Sequence, residues 1–315
     1  MELRQLHYVI QIAAEKNFSR AAEKLHIAQP SLSQQLSKLE QEIGVLLFRR
    51  TTNSVDLTHA GAAFVEKAQA ILDAVDQLKQ EMDDLAHMRK GRLVVGSLPI
   101  TGAHILPLVL PVFQSLYPEI EIVLVEDSSS RLEQLTASGQ TDLSLLSLPL
   151  QEPSLAWEPL IEEKICLAVP PQHRLAQTGD ACGGAGVRIE DLRHEPFIIL
   201  KKGQGFRKIT LDLCQQAGFE PRIVFESTNI ETVQSLAAAG MGIAFVPMMV
   251  ARAGWSQLAP AYLKLADPAP SRTLVIASRK GRYLSKAAEA FIQTMKATVD
   301  QHEQDTPWPK NASAT

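Results

Sequence analysis

The sequence predicts a mixed α/β chain in three parts, and three observations support that prediction. Residues 1–58 combine short helical segments with a small β-hairpin, the apolar positions of residues 59–88 recur at heptad spacing, and β-rich runs alternate with helical runs after residue 91. The chain of 315 residues is also longer than one ordinary hydrophobic core requires. We therefore expect a small N-terminal helical domain with a hairpin, a long linker helix and a larger α/β domain.

The first part contains two short helices joined by a tight turn between residues 19 and 39. Ser19 is placed to cap the first of these helices, and Pro30 stands where a first helical residue belongs, because its missing N–H costs nothing there. The inward-facing positions of the second helix recur at helical spacing: Leu32, Leu36 and Leu39. A preceding helix is predicted from an apolar stripe formed by Leu3, Leu6, Ile10 and Ala13.

The outward face of the second helix is rich in short hydrogen-bonding side chains: Gln29, Ser31, Ser33, Gln34, Ser37 and Lys38. Such side chains read base edges when a helix lies in the major groove of DNA. Arg49 and Arg50 follow in a loop, before a predicted return strand at residues 55–58. Guanidinium groups in such a wing suit phosphate and minor-groove contacts. The alternative interpretation is a helical hairpin whose polar face is merely solvated.

The charge balance limits this prediction. The chain has a net charge of −4, and residues 1–60 contain seven Lys and Arg against six Asp and Glu. Positive charge must therefore act locally, at Lys38, Arg49 and Arg50, and binding is expected to be dimeric. A single copy should bind DNA weakly and with marked salt dependence.

Residues 1–60 resemble the winged helix-turn-helix of the LysR-type transcriptional regulators, and the resemblance extends over about residues 1–300. The matching segments keep the family's order and spacing: residues 3–6 (LRQL), 18–22 (FSRAA), 29–33 (QPSLS), 39–40 (LE), 44–50 (GVLLFRR) and 57–61 (LTHAG). The resemblance implies a regulator that binds double-stranded promoter DNA. Its expected contacts are Ser19, Arg20, Gln29, Pro30, Ser31, Ser33, Gln34, Ser37, Lys38, Arg49 and Arg50. Gln34 departs from the arginine frequent in the family; since Arg pairs with guanine and Gln with adenine, the target sequence should not be copied from relatives.

The linker, residues 59–90, is predicted to be one long helix. Its apolar residues are separated alternately by four and three positions: Phe64, Ala68, Ile71, Val75, Leu78, Met82 and Leu85. Strict a/d spacing over three heptads is typical of a coiled coil, so we expect this helix to pair with a second copy. Such pairing places two recognition helices on two half-sites. The resemblance implies a homodimer or homotetramer; the alternative is an amphipathic helix lying on its own domain.

Strands and helices alternate in the third part, residues 91–300. Strands are predicted near 92–97, 120–126, 143–147, 165–169, 197–200, 223–226, 243–246 and 273–278, and helices near 103–116, 131–138, 207–217, 230–239 and 286–298. This alternation predicts parallel sheets with helices on both faces. Two capping boxes are expected, Ser130 with Glu133 and Thr228 with Glu231.

In such sheets ligands bind beyond the carboxyl ends of the strands. That rule selects four loops, 97–101, 147–149, 201–205 and 227–229, which are rich in hydroxyls, helix caps and cations. Helix N-termini favour anions, so a small carboxylate, phosphate or sulfate is expected; ordinary turn chemistry is the alternative.

The resemblance adds an effector domain like a periplasmic binding protein. Lobe I would cover about residues 91–162 and 268–300, and lobe II about 163–267. It also implies a set of effector contacts: Ser97, Pro99, Ile100, Thr101, Ser147, Lys201, Gly203, Gln204 and Thr228. Lys201 and Lys202 depart from the family's mostly neutral loop, which favours an anionic effector.

Other functions are disfavoured. Three widely spaced cysteines, Cys166, Cys182 and Cys214, indicate a reducing compartment rather than a disulfide framework or a zinc site. The N-terminus lacks a signal pattern and no apolar run suits a membrane, so a cytoplasmic protein is expected. Residues 301–315 are predicted to be a disordered tail.

Residues 200–207 resemble the loop that holds the reactive cysteine of peroxide-sensing relatives, and Gly205 occupies that cysteine's position. Without a thiolate there is no nucleophile for peroxide, and Cys214, at the second cysteine position, is expected to pack. The chain lacks the common catalytic motifs, so no enzyme and no cofactor are expected. The alternatives are a solute-binding protein or adaptor, and an enzyme on an α/β scaffold. RNA polymerase is a further candidate partner.

Overall fold

The computed structural model of the chain describes residues 1–50, 55–86, 91–177, 186–251 and 259–305. The chain folds as two compact units, Met1–Ala86 and His87–Thr315. The predicted mixed α/β fold class, with an N-terminal helix-turn-helix domain and a C-terminal α/β domain, is confirmed.

The N-terminal unit consists of α1 (Leu3–Glu15), α2 (Phe18–Lys24), α3 (Gln29–Ile43), the antiparallel hairpin β1 (Phe48–Arg50) and β2 (Val55–Leu57), and α4 (His59–Ala86). Leu32, Leu36 and Leu39 are buried as predicted, and they pack with Val9 and Ile12 of α1. The predicted apolar stripe on α1 was partly wrong. Leu3 is exposed, and the buried residues are Leu6, Val9 and Ile12. Val9 and Ile12 pack with α2 and α3, whereas Leu6 packs with Ala68 of α4, so the buried side of α1 faces both neighbours.

The caps of α2 and α3 differ from the prediction. Asn17, and not Ser19, caps α2: its Oδ1 accepts the backbone N–H of Arg20 at 3.0 Å, while Ser19 lies inside the helix and is exposed. Pro30 is the second residue of α3, after Gln29. Both positions lie in the first turn, where the N–H groups have no intrahelical partner, so the proline is tolerated equally well.

The C-terminal unit contains nine strands and six α-helices among its described residues. In chain order these are β3 (Gly91–Ser97), α5 (Pro99–Leu116), β4 (Ile120–Glu126), α6 (Ser129–Ala137), β5 (Leu143–Ser147), β6 (Leu155–Val169), the short α7 (Arg174–Gln177), β7 (Pro196–Leu200), α8 (Gly205–Gln216), β8 (Arg222–Ser227), α9 (Ile230–Ala238), β9 (Ala244–Pro247), β10 (Ala261–Lys264), β11 (Ser271–Arg279) and α10 (Lys286–Asp305).

The strands form one seven-stranded sheet and one two-stranded sheet. The larger has the order β10-β6-β11-β5-β3-β4, with β9 also paired to β6, and the smaller is the parallel pair β7-β8. The prediction of parallel sheets holds for β3 with β4 and β5, and for β7 with β8. It was wrong for β6, β9 and β11, which pair antiparallel. Strand β10, which the sequence did not predict, also pairs antiparallel with β6.

Strand β6 is three times as long as predicted and runs from lobe I into lobe II. Leu155–Lys164 pair with β11, whereas Ile165–Val169 pair with β9 and β10. Its first half carries Glu158, Glu162 and Glu163, so hydropathy alone identified only the apolar second half. Lobe I lies around β3, β4 and β5, and lobe II around β7, β8, β9 and β10.

Two helix-end predictions also required correction. Asn229, not Thr228, caps α9, since its Oδ1 accepts the N–H of Glu231 at 2.7 Å. Glu133 caps nothing: its Oε2 accepts the N–H groups of Gln151 and Glu152, each at 2.7 Å, and thereby ties α6 to the turn after β5.

The predicted disordered tail begins too early. Helix α10 continues through residues 301–305 because no proline interrupts the chain before Pro307. Residues 306–315 lie outside the described part of the chain.

Helix α5 meets the length and hydropathy expected of a membrane span, contrary to the prediction that no segment does. Ile105, Val109 and Phe113 on one of its sides are instead buried in the core of lobe I, where Phe113 packs edge-on against Phe291 of α10. We interpret α5 as a core helix of this lobe.

Candidate functional site

The predicted DNA-contacting residues of α3 lie on one side of the helix. Among the predicted contacts, Gln29, Pro30, Ser31, Gln34 and Lys38 are exposed, and Ser33 and Ser37 are half-buried. The opposite side is anchored in the core by leucines, so the polar side is held outward on a rigid helix. This is the geometry that a recognition helix requires for the major groove.

The two remaining parts of the predicted DNA surface are α2 and the wing. Ser19 and Arg20 are exposed on α2, and the Arg20 guanidinium donates to the carbonyl oxygen of Glu15 at 3.0 Å. Arg49 is exposed on β1, opposite Asp56 in the hairpin register. Arg50 pairs through its backbone with Val55; its side chain and residues 51–54 lie outside the described structure.

The predicted dimerisation stripe on α4 divides into two halves. Ala68 is buried against Leu6 of α1, and Phe64 packs on the same cluster. These two residues thus belong to the core of their own domain, as the alternative interpretation of the helix had it. Farther along, Ile71, Leu78 and Met82 are exposed, with Leu78 57% and Met82 50% accessible, and Val75 is half-buried. Exposed apolar residues at heptad spacing are what a coiled-coil partner covers; the side chain of Leu85 is not described.

The predicted effector residues of lobe I gather at one edge of the sheet. Ser97 ends β3 and Ser147 ends β5, which is its parallel neighbour, and Thr101 lies in the first turn of α5. All three are buried. The Ser97 hydroxyl donates to the carbonyl oxygen of Leu98 at 3.1 Å. Thr101 Oγ1 and Ser147 Oγ, however, have no hydrogen-bond partner among the described residues.

Such unpaired hydroxyls are unusual in a folded protein. Leaving a buried donor unsatisfied costs about 1–3 kcal/mol, so native structures normally pair them with protein or with a bound molecule. Pro99 and Ile100, the other predicted residues of this segment, form the exposed and half-buried start of α5. The two unpaired hydroxyls are therefore candidate hydrogen-bonding groups for a bound molecule.

A carboxylate that was not among the predicted site residues lies beside Ser97. A methyl group added to Gly102 would lie 3.1 Å from Ser97 Oγ and 3.3 Å from Glu126 Oε1. Glu126 ends β4 directly beside Ser97, the last residue of β3. The same rule about strand ends that selected Ser97 would have identified it.

The lobe II residues are more exposed. Lys201, Lys202 and Gly203 are solvent-accessible, Thr228 is also exposed, and Gln204 is the half-buried N-cap of α8. Neither lysine is enclosed. Nearby Arg207 donates to the carbonyl oxygen of Leu200 at 2.7 Å and forms an ion pair with Glu226, so its charge is balanced locally.

The two lobes touch directly where α6 and α8 begin. The backbone N–H of Gly205 donates to Ser129 Oγ at 2.8 Å, and the N–H of Ser130 donates to the carbonyl oxygen of Gly203 at 3.4 Å. A Cβ on residue 205 would lie 2.8 Å from Ser129 Oγ, closer than a side chain tolerates. Ser129 is thus a cleft residue that no local sequence signal identified.

Cys214 is buried in α8, and burial raises the pKa of its thiol to about 12. A thiol with that pKa is protonated at neutral pH and is a poor nucleophile. Within the described residues no cluster of three or more His, Cys, Asp or Glu side chains is placed to hold a metal ion.

A winged helix-turn-helix and a two-lobed ligand domain in one chain define a transcriptional regulator that senses a small molecule. Comparison with known proteins agrees. Residues 3–62 match the family described as bacterial regulatory helix-turn-helix protein, lysR family, and residues 86–300 match the LysR substrate binding domain. The chain therefore belongs to the LysR family of transcriptional regulators.

Several relatives span the whole chain. The uncharacterized HTH-type transcriptional regulator YcgK of Bacillus subtilis is 40% identical, with 96% of each chain covered. The transcriptional dual regulator OxyR of Escherichia coli is 31% identical, with 96% of this chain and 97% of OxyR covered. Full-length OxyR from Pseudomonas aeruginosa matches with a TM-score of 0.70 and 27% identity, covering 95% and 94% of the two chains. Full-length CbnR in complex with its target DNA matches with a TM-score of 0.66 and 25% identity, covering 95% and 100%.

The family membership establishes the general activity. The protein is a DNA-binding transcriptional regulator with an effector-binding domain, and LysR regulators bind promoter DNA and small-molecule effectors as oligomers. Nothing in the comparisons supports the alternative of a non-transcriptional adaptor.

Proposed function

We propose that the cleft of the C-terminal domain binds a small metabolite with one anionic group, to which Thr101 and Ser147 donate hydrogen bonds. The observation that supports this most strongly is that both hydroxyls are buried without a partner in the described structure. An acceptor on the ligand would recover the energy lost by their burial. Helix α5 begins at Pro99, two residues before Thr101, so the positive end of its dipole favours negative charge at the same place.

Glu126 narrows the class of ligand. Its carboxylate lies next to Ser97 and Gly102, so a second negative group on the ligand would be repelled there. A donor such as a hydroxyl or ammonium group would be attracted instead. Lys201 and Lys202 are exposed in the loop before α8, and their positive charge favours the approach of an anion to this lobe. We therefore favour a monoanion with a donor group over a polyanion.

Within the N-terminal domain, α3 is assigned to the major groove and the wing to the flanking minor groove. The supporting observation is the outward side of α3, on which Ser31, Gln34 and Lys38 are exposed while the leucines opposite are buried. Gln34 is expected to select adenine where arginine-bearing relatives would select guanine. In this assignment Arg49 contacts the DNA backbone.

The mechanism we propose is a shift between two arrangements that the effector biases. Ligand binding closes or twists the two lobes, reorients dimers within a tetramer, and thereby changes the spacing or bending of promoter DNA. The direct contact between Ser129 and Gly205 lies on the path of such a movement, because it joins lobe I to lobe II.

Peroxide is not proposed as the signal, although OxyR proteins are among the relatives. Gly205 offers no thiol in the cleft, and Cys214 is buried with a raised pKa. Peroxide at micromolar concentration should leave the DNA footprint of the chain unchanged, with an OxyR protein as the positive control. A footprint that shifts with peroxide and recovers with dithiothreitol would overturn this.

We further propose that the protein is not an enzyme, needs no cofactor and acts in the cytoplasm. The support is family membership, since LysR regulators act on DNA. Turnover of any ligand that binds the cleft would revive the enzymatic alternative.

Two experiments test the proposed function. The first is a footprint of the purified chain on genomic fragments, including the region upstream of its own gene, at near-physiological salt. Protection of paired half-sites about one or more helical turns apart is expected. The second is a thermal-shift screen of monocarboxylates, dicarboxylates, sugar phosphates and polyamines, in which stabilisation rises with ligand concentration as expected from linkage. Preferential stabilisation by polyamines would contradict an anionic effector.

A further inference from the structure

Between the recognition helix and the wing lies a backbone segment, residues 46–48, that is held from both sides. We propose that Glu40 is a positioning residue for DNA binding, which fixes this segment and so sets the wing and the linker helix relative to the recognition helix. The inference rests on the proposed assignment of α3 and the wing to DNA. Glu40 is placed with Leu36 and Leu39 on the buried side of α3.

The first half of the arrangement is the Glu40 carboxylate. Its Oε1 accepts the backbone N–H of Leu47 at 2.7 Å and that of Phe48 at 3.3 Å. A buried carboxylate is costly to desolvate and persists only where it is hydrogen-bonded. Hydrogen bonds to a charged acceptor are also stronger than neutral ones. Because Phe48 begins β1 and Arg49 follows it, the carboxylate sets where the wing leaves the domain.

The second half comes from the start of α4. The Thr58 hydroxyl donates to the carbonyl oxygen of Leu46 at 2.7 Å, and the Thr58 N–H donates to that of Leu47 at 2.9 Å. Thr58 Oγ1 also accepts the N–H of Gly61 at 2.9 Å, as a helix cap does. The first turn of α4 lies so close that a Cβ on Gly61 would be 2.0 Å from the carbonyl oxygen of Leu47.

These contacts leave the segment little freedom. Its N–H groups bind the recognition helix through Glu40, and its carbonyl groups bind the linker helix through Thr58. The recognition helix is therefore tied to this segment through the buried Glu40 carboxylate, and the start of α4 is tied to it through the Thr58 hydroxyl and N–H. Since α4 carries the exposed apolar stripe of Ile71, Leu78 and Met82, the angle between α3 and α4 decides how far apart two recognition helices stand. Glu40 thus determines half-site spacing without touching DNA.

The test compares four full-length variants with the wild-type chain on the fragment that the wild-type chain protects upstream of its own gene. Glu40→Leu removes the acceptor at similar size, whereas Glu40→Gln keeps an oxygen that can accept the same N–H groups. Thr58→Val removes the hydroxyl on the other side. Glu42→Gln is the matched control, because Glu42 lies two residues away but is exposed and pairs with the N-terminal ammonium group.

Affinity is measured for operators with native half-site spacing and with one base pair added or removed, together with hydroxyl-radical footprints, sedimentation and thermal unfolding. Glu40→Leu and Thr58→Val should remain dimeric and lose about tenfold in affinity for the native spacing, which is the scale of one or two hydrogen bonds. The affinities of each variant for the three spacings should differ by less than about threefold. Protection of the outer minor grooves should weaken before that of the major groove. Glu40→Gln and Glu42→Gln should keep the wild-type preference.

Retention of the spacing preference in folded Glu40→Leu would overturn the inference, as would its loss in Glu42→Gln. If Glu40→Leu fails to fold, Thr58→Val decides by the same criteria. If the wild-type chain protects no fragment, the underlying assignment of DNA contacts is overturned. If the wild-type chain does protect a fragment but Glu40→Leu and Thr58→Val keep its spacing preference, only the role of Glu40 is overturned.

Discussion

Glu163 and Arg272 form a buried ion pair between the two strands that join the lobes. They face each other in the register of β6 and β11, with 2.7 Å between Glu163 Oε2 and the Arg272 guanidinium, and their side chains are 3% and 1% exposed. Glu163 Oε1 also accepts the N–H of Met249 at 2.6 Å, and the guanidinium lies 5.4 Å from the ring centre of Phe206 in α8. The pair therefore links β6 and β11 with the first turn of α8.

Removing one partner of this pair should destabilise the C-terminal domain strongly. Arg272→Met leaves the Glu163 carboxylate buried and uncompensated, which costs about 3–5 kcal/mol. Urea unfolding of the full chain, followed by circular dichroism, measures the change. Lys296→Met is the control, because Lys296 pairs with Glu158 at the surface, where the side chains are 38% and 54% exposed, and should change stability by less than about 1 kcal/mol. Equal losses from the two variants would contradict the role of burial.

Replacing Thr101 by valine should separate ligand binding from stability. The change removes a buried hydroxyl without a described partner and keeps the shape, so stability should hold or rise by about 1 kcal/mol while stabilisation by the effector is lost. Thr136→Val is the matched control. Thr136 is equally buried, but its hydroxyl bonds Leu132 O and Ser144 Oγ, each at 2.7 Å, so this variant should lose about 1–3 kcal/mol. Thermal unfolding with and without the ligand found in the screen gives both quantities. A fully responsive Thr101→Val would remove Thr101 from the site.

A methyl group at Gly205 should weaken the contact between the lobes. In Gly205→Ala the new Cβ would meet Ser129 Oγ at 2.8 Å, so the serine must move and its hydrogen bond with the residue 205 N–H is strained. We expect an altered effector response in the promoter footprint and a stability loss of about 1 kcal/mol. Gly91→Ala is the control, since no atom lies within 4 Å of its added Cβ. Combining Gly205→Ala with Ser129→Gly restores the space but also removes the hydrogen bond, so it should relieve the clash without restoring the wild-type effector response.

Charge on the exposed stripe of α4 should dissociate the oligomer without unfolding the domain. Leu78→Asp and Met82→Asp place carboxylates where an apolar partner is expected, so sedimentation should report smaller species and affinity for paired half-sites should fall at least about tenfold. Phe64→Ala should act differently. Phe64 is half-buried and packs within its own domain, so this variant should lose about 1–3 kcal/mol of stability. An unchanged sedimentation profile in both aspartate variants would place the dimer contact elsewhere.

Much of this architecture was predictable because local periodicity and burial agree. Strands β4 and β5 have the bounds that the sequence predicted, since each is a compact apolar run between turn residues. The exposed and buried sides of α3 follow directly from the spacing of its leucines. In these segments the hydrophobic pattern alone decides the structure.

The errors arose where tertiary partners decide the outcome. The first half of β6 is charged because it pairs with β11 between the lobes, and Glu163 is matched by Arg272, 109 residues away. Glu133 looked like a helix cap but binds the turn at Gln151 and Glu152. Ser129 and Glu40 act on backbone N–H groups of distant residues. No local pattern reveals these contacts, because the donor is a backbone N–H group, which every residue except proline has.

The continuity of β6 also restricts how this protein can change in evolution. Its first ten residues pair with β11 and its last five with β9 and β10. One uninterrupted strand therefore determines which of its side chains face inward in both lobes. A single inserted residue near Lys164 would reverse the inward and outward positions of every residue on one side of the insertion. Length variation among descendants of this chain should therefore accumulate in its turns, while the fifteen residues of β6 keep their number even where their identities drift.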